Sequence, residues 1–195
     1  MIASTSVATA NDLRQQLRDG TASLHRRLES ALDMLTPPLQ RGHYLRLLQR
    51  FHGFHALWEP SLTAWLAPDF RAHRCKLPLL RQDLLALGMV DAAIDALPVC
   101  RNATALSSTR EAALGALYVI EGSTLGGKMI SSHLLGAAWC PQAGLRYFNP
   151  YGNETGRRWS ETLRCLSEAA PSASPAILLG AQQTFGLLQV WLTGI

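Results

Sequence analysis

The chain has 195 residues, 48% of them hydrophobic and 16% charged, with a formal net charge of +4. That length makes one domain the default and is enough for a sizeable core, and the composition excludes a disordered chain. No uncharged apolar run reaches the ~18 residues needed to cross a bilayer, because Glu121 and Lys128 interrupt the best stretch, so membrane insertion is not expected.

The opening Met1-Ile2-Ala3-Ser4-Thr5-Ser6 has neither a basic nor an apolar segment of the kind that marks a secretory signal, and residues 1–10 are expected to be flexible. From Asn11, a suitable N-cap, a first helix carries Leu13, Leu17, Leu24, Leu28 and Leu32 as its apolar stripe, and Pro37-Pro38 ends the connection that follows. On this helix His25 stands four residues before Glu29, and Arg18 lies two turns earlier on the same face. An exposed surface pair is the ordinary reading of such spacing. The functional reading is a ligating imidazole whose second nitrogen is held by an acceptor.

A second helix, from about Gln40, shows Tyr44, Leu47, Leu48, Phe51, Phe54 and Trp58 at helical spacing until Pro60 breaks or kinks it. His52 and His55 are three apart, a spacing that could hold a metal, but their aromatic neighbours favour a place at the edge of the core. His55 and Glu59 also form an i,i+4 pair, although one lying where the helix is failing. Shorter helices are expected over Leu77–Leu87 and Asp91–Leu97.

Ser108-Thr109-Arg110-Glu111 has the form of a capping box, and beyond it Leu114, Leu117, Glu121, Leu125, Met129 and Leu134 recur at roughly helical spacing as far as Gly136. Inside this helix Gly122, Gly126 and Gly127 each cost about 1 kcal/mol relative to alanine. Two explanations have similar weight: a flat ligand lying against bare backbone, or close packing of another helix. Glycine pairs also mark helix kinks. An irregular stretch follows from Cys140 to Asn153, then helices over Glu154–Ala169 and Pro175–Leu192, the last capped by Ser174.

The expected fold class is therefore all-α, a single domain over residues 11–195 with roughly seven helices. Cys75, Cys100, Cys140 and Cys165 are widely spaced, which suits reduced thiols in a cytoplasmic protein. The cationic residues form no stripe of the kind nucleic acid requires, so no nucleic-acid partner is expected. The positive charge suits an anionic small molecule or an acidic protein. No nucleophile elbow, phosphate loop or dinucleotide fingerprint is present.

Tyr118-Val-Ile-Glu-Gly-Ser-Thr-Leu-Gly-Gly127, taken with the segment around His25, resembles the haem oxygenase family. It is most similar to the bacterial branch that accompanies bacteriophytochromes, whose signature reads Y-V-L-E-G-S-x-L-G-G. The resemblance implies a helical bundle that holds haem between the first helix and a kinked distal helix. His25 would be the haem-iron ligand and Glu29 its hydrogen-bond partner, while Gly122, Gly126 and Gly127 would let the distal helix lie over the haem face. Arg18, Tyr118 and Lys128 would meet the propionates, with Arg157 and Arg158 contributing from a later helix. Mammalian members carry an aspartate where this chain has Ser123, so that residue would have to take part in proton delivery without a carboxylate. The implied reaction uses haem as substrate and cofactor, with O2 and electrons from a ferredoxin or reductase, and yields biliverdin, CO and Fe2+. A bacteriophytochrome would be a receiver of the biliverdin. A non-catalytic haem-binding or sensing protein on the same fold is the alternative, and a thiamin-degrading enzyme of related fold is a more distant one.

Overall fold

The structure is a computed structural model, and it describes residues 3–35, 39–169 and 171–194. Among these residues are eight α-helices and no strand: α1 Ala3–Leu32, α2 Arg41–Ser61, α3 Pro68–Ala72, α4 Leu77–Ala86, α5 Asp91–Asp95, α6 Arg110–Leu134, α7 Thr155–Ser167 and α8 Ser174–Thr193. The one helix not expected from the pattern is α3, a single turn begun by Pro68 at its first position. Five residues leave no periodic signal.

Element boundaries differ where local chemistry outweighs the pattern. The first helix begins at Ala3 rather than Asn11, because Ala3 to Ala10 contains neither glycine nor proline to stop it. Asn11 is therefore inside the helix. Of the expected flexible segment, Met1 and Ile2 lie outside the described residues and the remainder is helical. Pro37 and Pro38 also lie outside the described residues. Thr109, not Ser108, is the N-cap of α6. Its backbone is extended at φ −132° and ψ 164°, and its hydroxyl accepts the Ala112 N–H at 3.1 Å. The last helix starts at Ser174 itself, behind Ala173. At the end of α4, Gly88 takes φ +89°, while Met89 N–H reaches Leu84 O at 3.0 Å and Gly88 N–H reaches Leu85 O at 2.9 Å. This is the paired closure that a glycine in the left-handed region permits.

The core is one cluster that draws on every long helix, with Leu17, Tyr44, Leu48, Phe54, Leu114 and Ile177 buried at its centre. In this arrangement α8 lies along both α6 and α1, while α2 packs on α4 and on the 3-10 turn Arg101–Ser107. The crossing of α6 and α8 is made by glycine on both sides. A Cβ added to Gly115 would fall within the backbone of Ile177 and Ala181, and one added to Gly180 would lie 2.8 Å from Ala112 Cα. Close helix packing is thus the reason for Gly115. Its signal in the sequence is weaker than that of the later glycines.

Gly126 differs, because a Cβ built there meets nothing within 4 Å. Gly115→Ala should lower the unfolding free energy by about 1–3 kcal/mol through backbone collision, whereas Gly126→Ala should raise it by up to about 1 kcal/mol through helix propensity. Urea unfolding midpoints of the two variants check this, and equal shifts would show that the two sites are packed alike.

Candidate functional site

His25 on α1 and the glycine segment of α6 face the same cleft, about 440 Å³ in volume, within the range of roughly 300–1,000 Å³ usual for small-molecule sites. Leu28, Val119, Ile120, Phe148, Phe185 and Leu188 give it apolar walls. Leu35, Leu125 and Met129 also line it and are about half exposed. Large apolar side chains left open around one concavity mark a surface that something apolar covers.

The His25 Nδ1 atom lies 3.2 Å from Glu29 Oε2, and the ring meets Phe185 edge-on with centroids 5.8 Å apart. With Nδ1–H donating to the carboxylate, Nε2 carries the ring's lone pair. The imidazole side chain is 51% exposed. An imidazole with one nitrogen held and the other free is equipped to bind a metal centre brought in by a ligand. Among the described residues no group of three or more His, Cys, Asp and Glu could hold a bare ion. His52 and His55 do not act as a pair, because His55 is bonded at both nitrogens.

The three later glycines of α6, Gly122, Gly126 and Gly127, separate into different uses. Gly126 opens onto free space. A Cβ on Gly127 would collide with the Phe148 carbonyl and lie 3.1 Å from that carbonyl carbon, so Gly127 serves close packing of the loop after α6. A Cβ on Gly122 would rest 3.5 Å from Trp159, an ordinary contact. Close packing therefore accounts for Gly127, against a loop rather than another helix, while the backbone at Gly126 is left bare. Ser123 lines the cleft, and its hydroxyl donates to Ile120 O at 2.9 Å, which leaves it lone pairs with which to accept.

The other expected residues lie outside this wall. Arg18 is exposed on α1. Tyr118 is half-buried against Trp159, with ring centroids 5.6 Å apart. Burial pushes the Tyr118 phenol up, and nearby Thr21, Arg14 and Arg18 pull it back, so Arg18 and Tyr118 share one neighbourhood. Lys128 is exposed on α6 between two cleft residues, Gly127 and Met129. Arg157 and Arg158 are engaged within α7 and its approach: Arg157 pairs with Glu154 and Glu161 at 2.7 Å each, and Arg158 with both at 3.3 Å.

Sequence spacing missed a buried polar group at the border of the cleft, which Lys76 lines. Glu121 is 1% exposed on α6 and accepts from Lys76 Nζ and from the Tyr151 hydroxyl at 3.0 Å, with Arg74 Nε 3.6 Å away. His55 is fully buried, its Nδ1 is 2.9 Å from Glu59 Oε1 and its Nε2 is 3.2 Å from the Tyr147 hydroxyl. Burial lowers the His55 pKa, against the pull of Glu59. This pair forms despite its closeness to Pro60, because α2 continues through the proline to Ser61 and Glu59 is further fixed by the Lys76 N–H at 2.6 Å. Glu121, a charge amid apolar neighbours, was the available signal. Lys76 gave none.

Three comparisons bear on this arrangement. The family model described as Heme oxygenase matches residues 11–193. A protein named Heme oxygenase from Xanthomonas campestris pv. campestris (strain 8004) is 33% identical over 158 residues, covering 75% of this chain and 90% of that protein. Among solved structures, a haem oxygenase from Leptospira interrogans aligns with a TM-score of 0.73 at 20% identity, covering 94% of this chain and 99% of that one. Haem oxygenase-1 from the cyanobacterium Synechocystis sp., in complex with haem, aligns at 0.72 and 13% identity, covering 93% and 91%. At those identities the two structures speak for the fold, and they match its all-helical form.

One wall of the cleft is held from a distance. Asp83 on α4 is buried and accepts the backbone N–H groups of Arg146 at 3.0 Å and Tyr147 at 2.8 Å, while Tyr44 donates to Gly144 O at 2.8 Å. Together these fix the loop that carries Phe148. Burial raises the Asp83 pKa to about 6, against the two N–H groups, from 3.8. The native state therefore holds more protons than the unfolded chain between about pH 4 and 6, and stability falls as pH rises through that window. The difference between wild type and Asp83→Asn should change by about 3 kcal/mol or less across it, with the wild type losing stability relative to the variant as pH rises. Urea unfolding at pH 4, 5 and 7 measures this, and parallel curves would refute it.

Proposed function

Because the chain belongs to the haem oxygenase family, we propose that its α1–α6 cleft takes haem as substrate and that the enzyme opens the macrocycle to biliverdin, CO and Fe2+. O2 and electrons from a ferredoxin or reductase drive the reaction. The observation that carries this reading is the common apolar cleft onto which both the Glu29-held His25 and the bare backbone at Gly126 open. The residues fit the group: a flat apolar ring system needs apolar walls, one open backbone face and one free imidazole nitrogen.

Bound haem supplies the iron at which O2 is reduced, and so the oxidant for its own ring. The chain's part is to hold, orient and exclude. His25 would hold the iron through Nε2, with Glu29 keeping the tautomer that leaves this nitrogen free. An imidazole gives less electron push towards O–O cleavage than a thiolate does, which suits oxidation of the ring itself. Gly126 lets the macrocycle approach the helix backbone, and Phe148, Phe185 and Leu188 exclude water from its faces. Gly122 and Ser123 border the same face, where the Ser123 oxygen accepts hydrogen bonds. Arg18, Tyr118 and Lys128, outside the apolar wall, would receive the substrate's carboxylates. Guanidinium and ammonium are suited to receive them.

The excess positive charge suits an acidic electron donor. A cytoplasmic setting, with a bacteriophytochrome receiving the biliverdin, is in keeping with the branch that the Tyr118–Gly127 segment resembles. Among the described residues no helix is long and apolar enough to cross a membrane.

His25→Ala should bind haem without the spectrum of a histidine-ligated complex, and an unchanged Soret band and ferrous CO complex would exclude His25 as the ligand. Arg18→Ala with Lys128→Ala should weaken haem binding severalfold or alter the ratio of biliverdin isomers, in line with the modest worth of exposed charge pairs. Haem titration and chromatography of the product check both, and a double variant equal to wild type in each would remove those two residues from the carboxylate site.

A further inference from the structure

Ser123 leaves the glycine helix without a carboxylate at its cleft face, and the hydroxyls there have little to donate. The Ser123 hydrogen goes to Ile120 O at 2.9 Å and the Thr124 hydrogen to Glu121 O at 2.6 Å. Apart from His25 and its partner Glu29, the cleft-lining residues with an ionisable side chain are Lys76 and Tyr147. The Tyr147 hydroxyl is bonded to His55 at 3.2 Å.

Lys76 is different. It precedes α4, is 2% exposed, and lines the cleft. Its ammonium donates to Glu121 and, at 3.2 Å, to the Tyr151 hydroxyl, while its backbone N–H is tied to Glu59 at 2.6 Å. An ammonium has three N–H groups, and the third has no acceptor among the described residues. Burial works against the charged form, but Glu121 and Tyr151 more than offset it and hold the lysine pKa above its ordinary value. A buried ion pair is an expensive element that well-packed apolar side chains could replace without loss of stability, so its place at a ligand cleft calls for a use.

We propose that the third N–H of Lys76 is the cleft's hydrogen-bond donor to negative charge on the open face of the bound macrocycle, the face that His25 does not occupy. Glu121 and Tyr151 are positioning residues: Glu121 anchors the ammonium to the glycine helix, and Tyr151 bonds both Glu121 oxygens at 3.0 Å as well as Lys76. Arg74 Nε lies 3.6 Å from the second oxygen of Glu121, and Arg74 is itself paired with Glu161 at 3.0 Å. The arrangement leaves Lys76 charged, held in place by two bonds and with a third N–H to give. It supplies a fixed positive donor where a carboxylate-bearing relative would order water instead. This rests on haem occupying the α1–α6 cleft.

The test uses the ferric haem complex and two equilibrium ligands of its iron: fluoride, an anion that a donor stabilises, and imidazole, which is neutral. In Lys76→Met, fluoride should bind about tenfold more weakly or worse, with imidazole and haem affinity within about twofold of wild type. Lys76→Arg should restore part of the fluoride affinity. If Lys76→Met does not fold because Glu121 is left without its main partner, Lys76→Met with Glu121→Gln removes both charges and should show the same selective loss. Equal fluoride affinity in wild type and variant overturns the proposal, as does an equal loss for fluoride and imidazole, which would indicate a change of cleft shape. Wild type that takes up no haem overturns the functional reading, and this proposal with it.

Discussion

A helix that touches its neighbours backbone to backbone cannot turn about its own axis without collision, and α6 is held in this way at two points. Near its start Gly115 sits against the α8 backbone, and two-thirds of the way along Gly127 sits against the Phe148 carbonyl. Between these contacts the rotation of α6 is set, and with it the direction in which Gly126 looks. The apolar stripe of α1 rests on α8, which delivers His25 and Phe185 to the same cleft. An open backbone face and a free imidazole nitrogen meet because α8 serves as the common support for both helices.

The cleft has two electrical characters. Its walls are apolar, which favours a flat hydrophobic ring system, while at its border, reached by the lining residue Lys76, lies a cluster of buried charges in which Glu121 joins Lys76, Arg74 and Tyr151. Such pairs contribute little net stability when judged against apolar replacements. They do fix geometry, since each member is left unsatisfied if another moves. The polar cluster thus adds stiffness next to a surface that is otherwise smooth and apolar, and it does so with residues from α6, from the turn before α4 and from the segment before α7.

Much of this was legible in the order of residues. Helix positions follow from leucine and aromatic spacing, and the pairing of His25 with Glu29 follows from their four-residue separation, because both depend on contacts within one helix. The two readings of the glycine cluster could not be separated by spacing, since a missing Cβ looks the same whether ligand or backbone fills the gap. The placement of Phe148 beside Gly127 assigns that glycine to packing, while the backbone of Gly126 is left bare. Lys76 was illegible for a related reason: its partners lie 45 and 75 residues away, and nothing local marks a lysine as buried. Arg157 and Arg158 show the converse, being neutralised by glutamates within a turn of each, a pattern that was there to be read at i,i+3 and i,i+4 spacing.

The hold of Asp83 on the Arg146 and Tyr147 amides spans 63 and 64 residues of chain, and it grips backbone rather than side chains. The shape of that loop is therefore written largely outside it, in an aspartate of α4 and in the space left by Gly127. The Asp83 hydrogen bonds themselves do not read the side chain at position 146, whereas the loop moved alone into another scaffold would lose the contacts that define it. The transferable unit is the loop together with Asp83 and Gly127, three stretches of sequence that evolution or an engineer would have to carry as one.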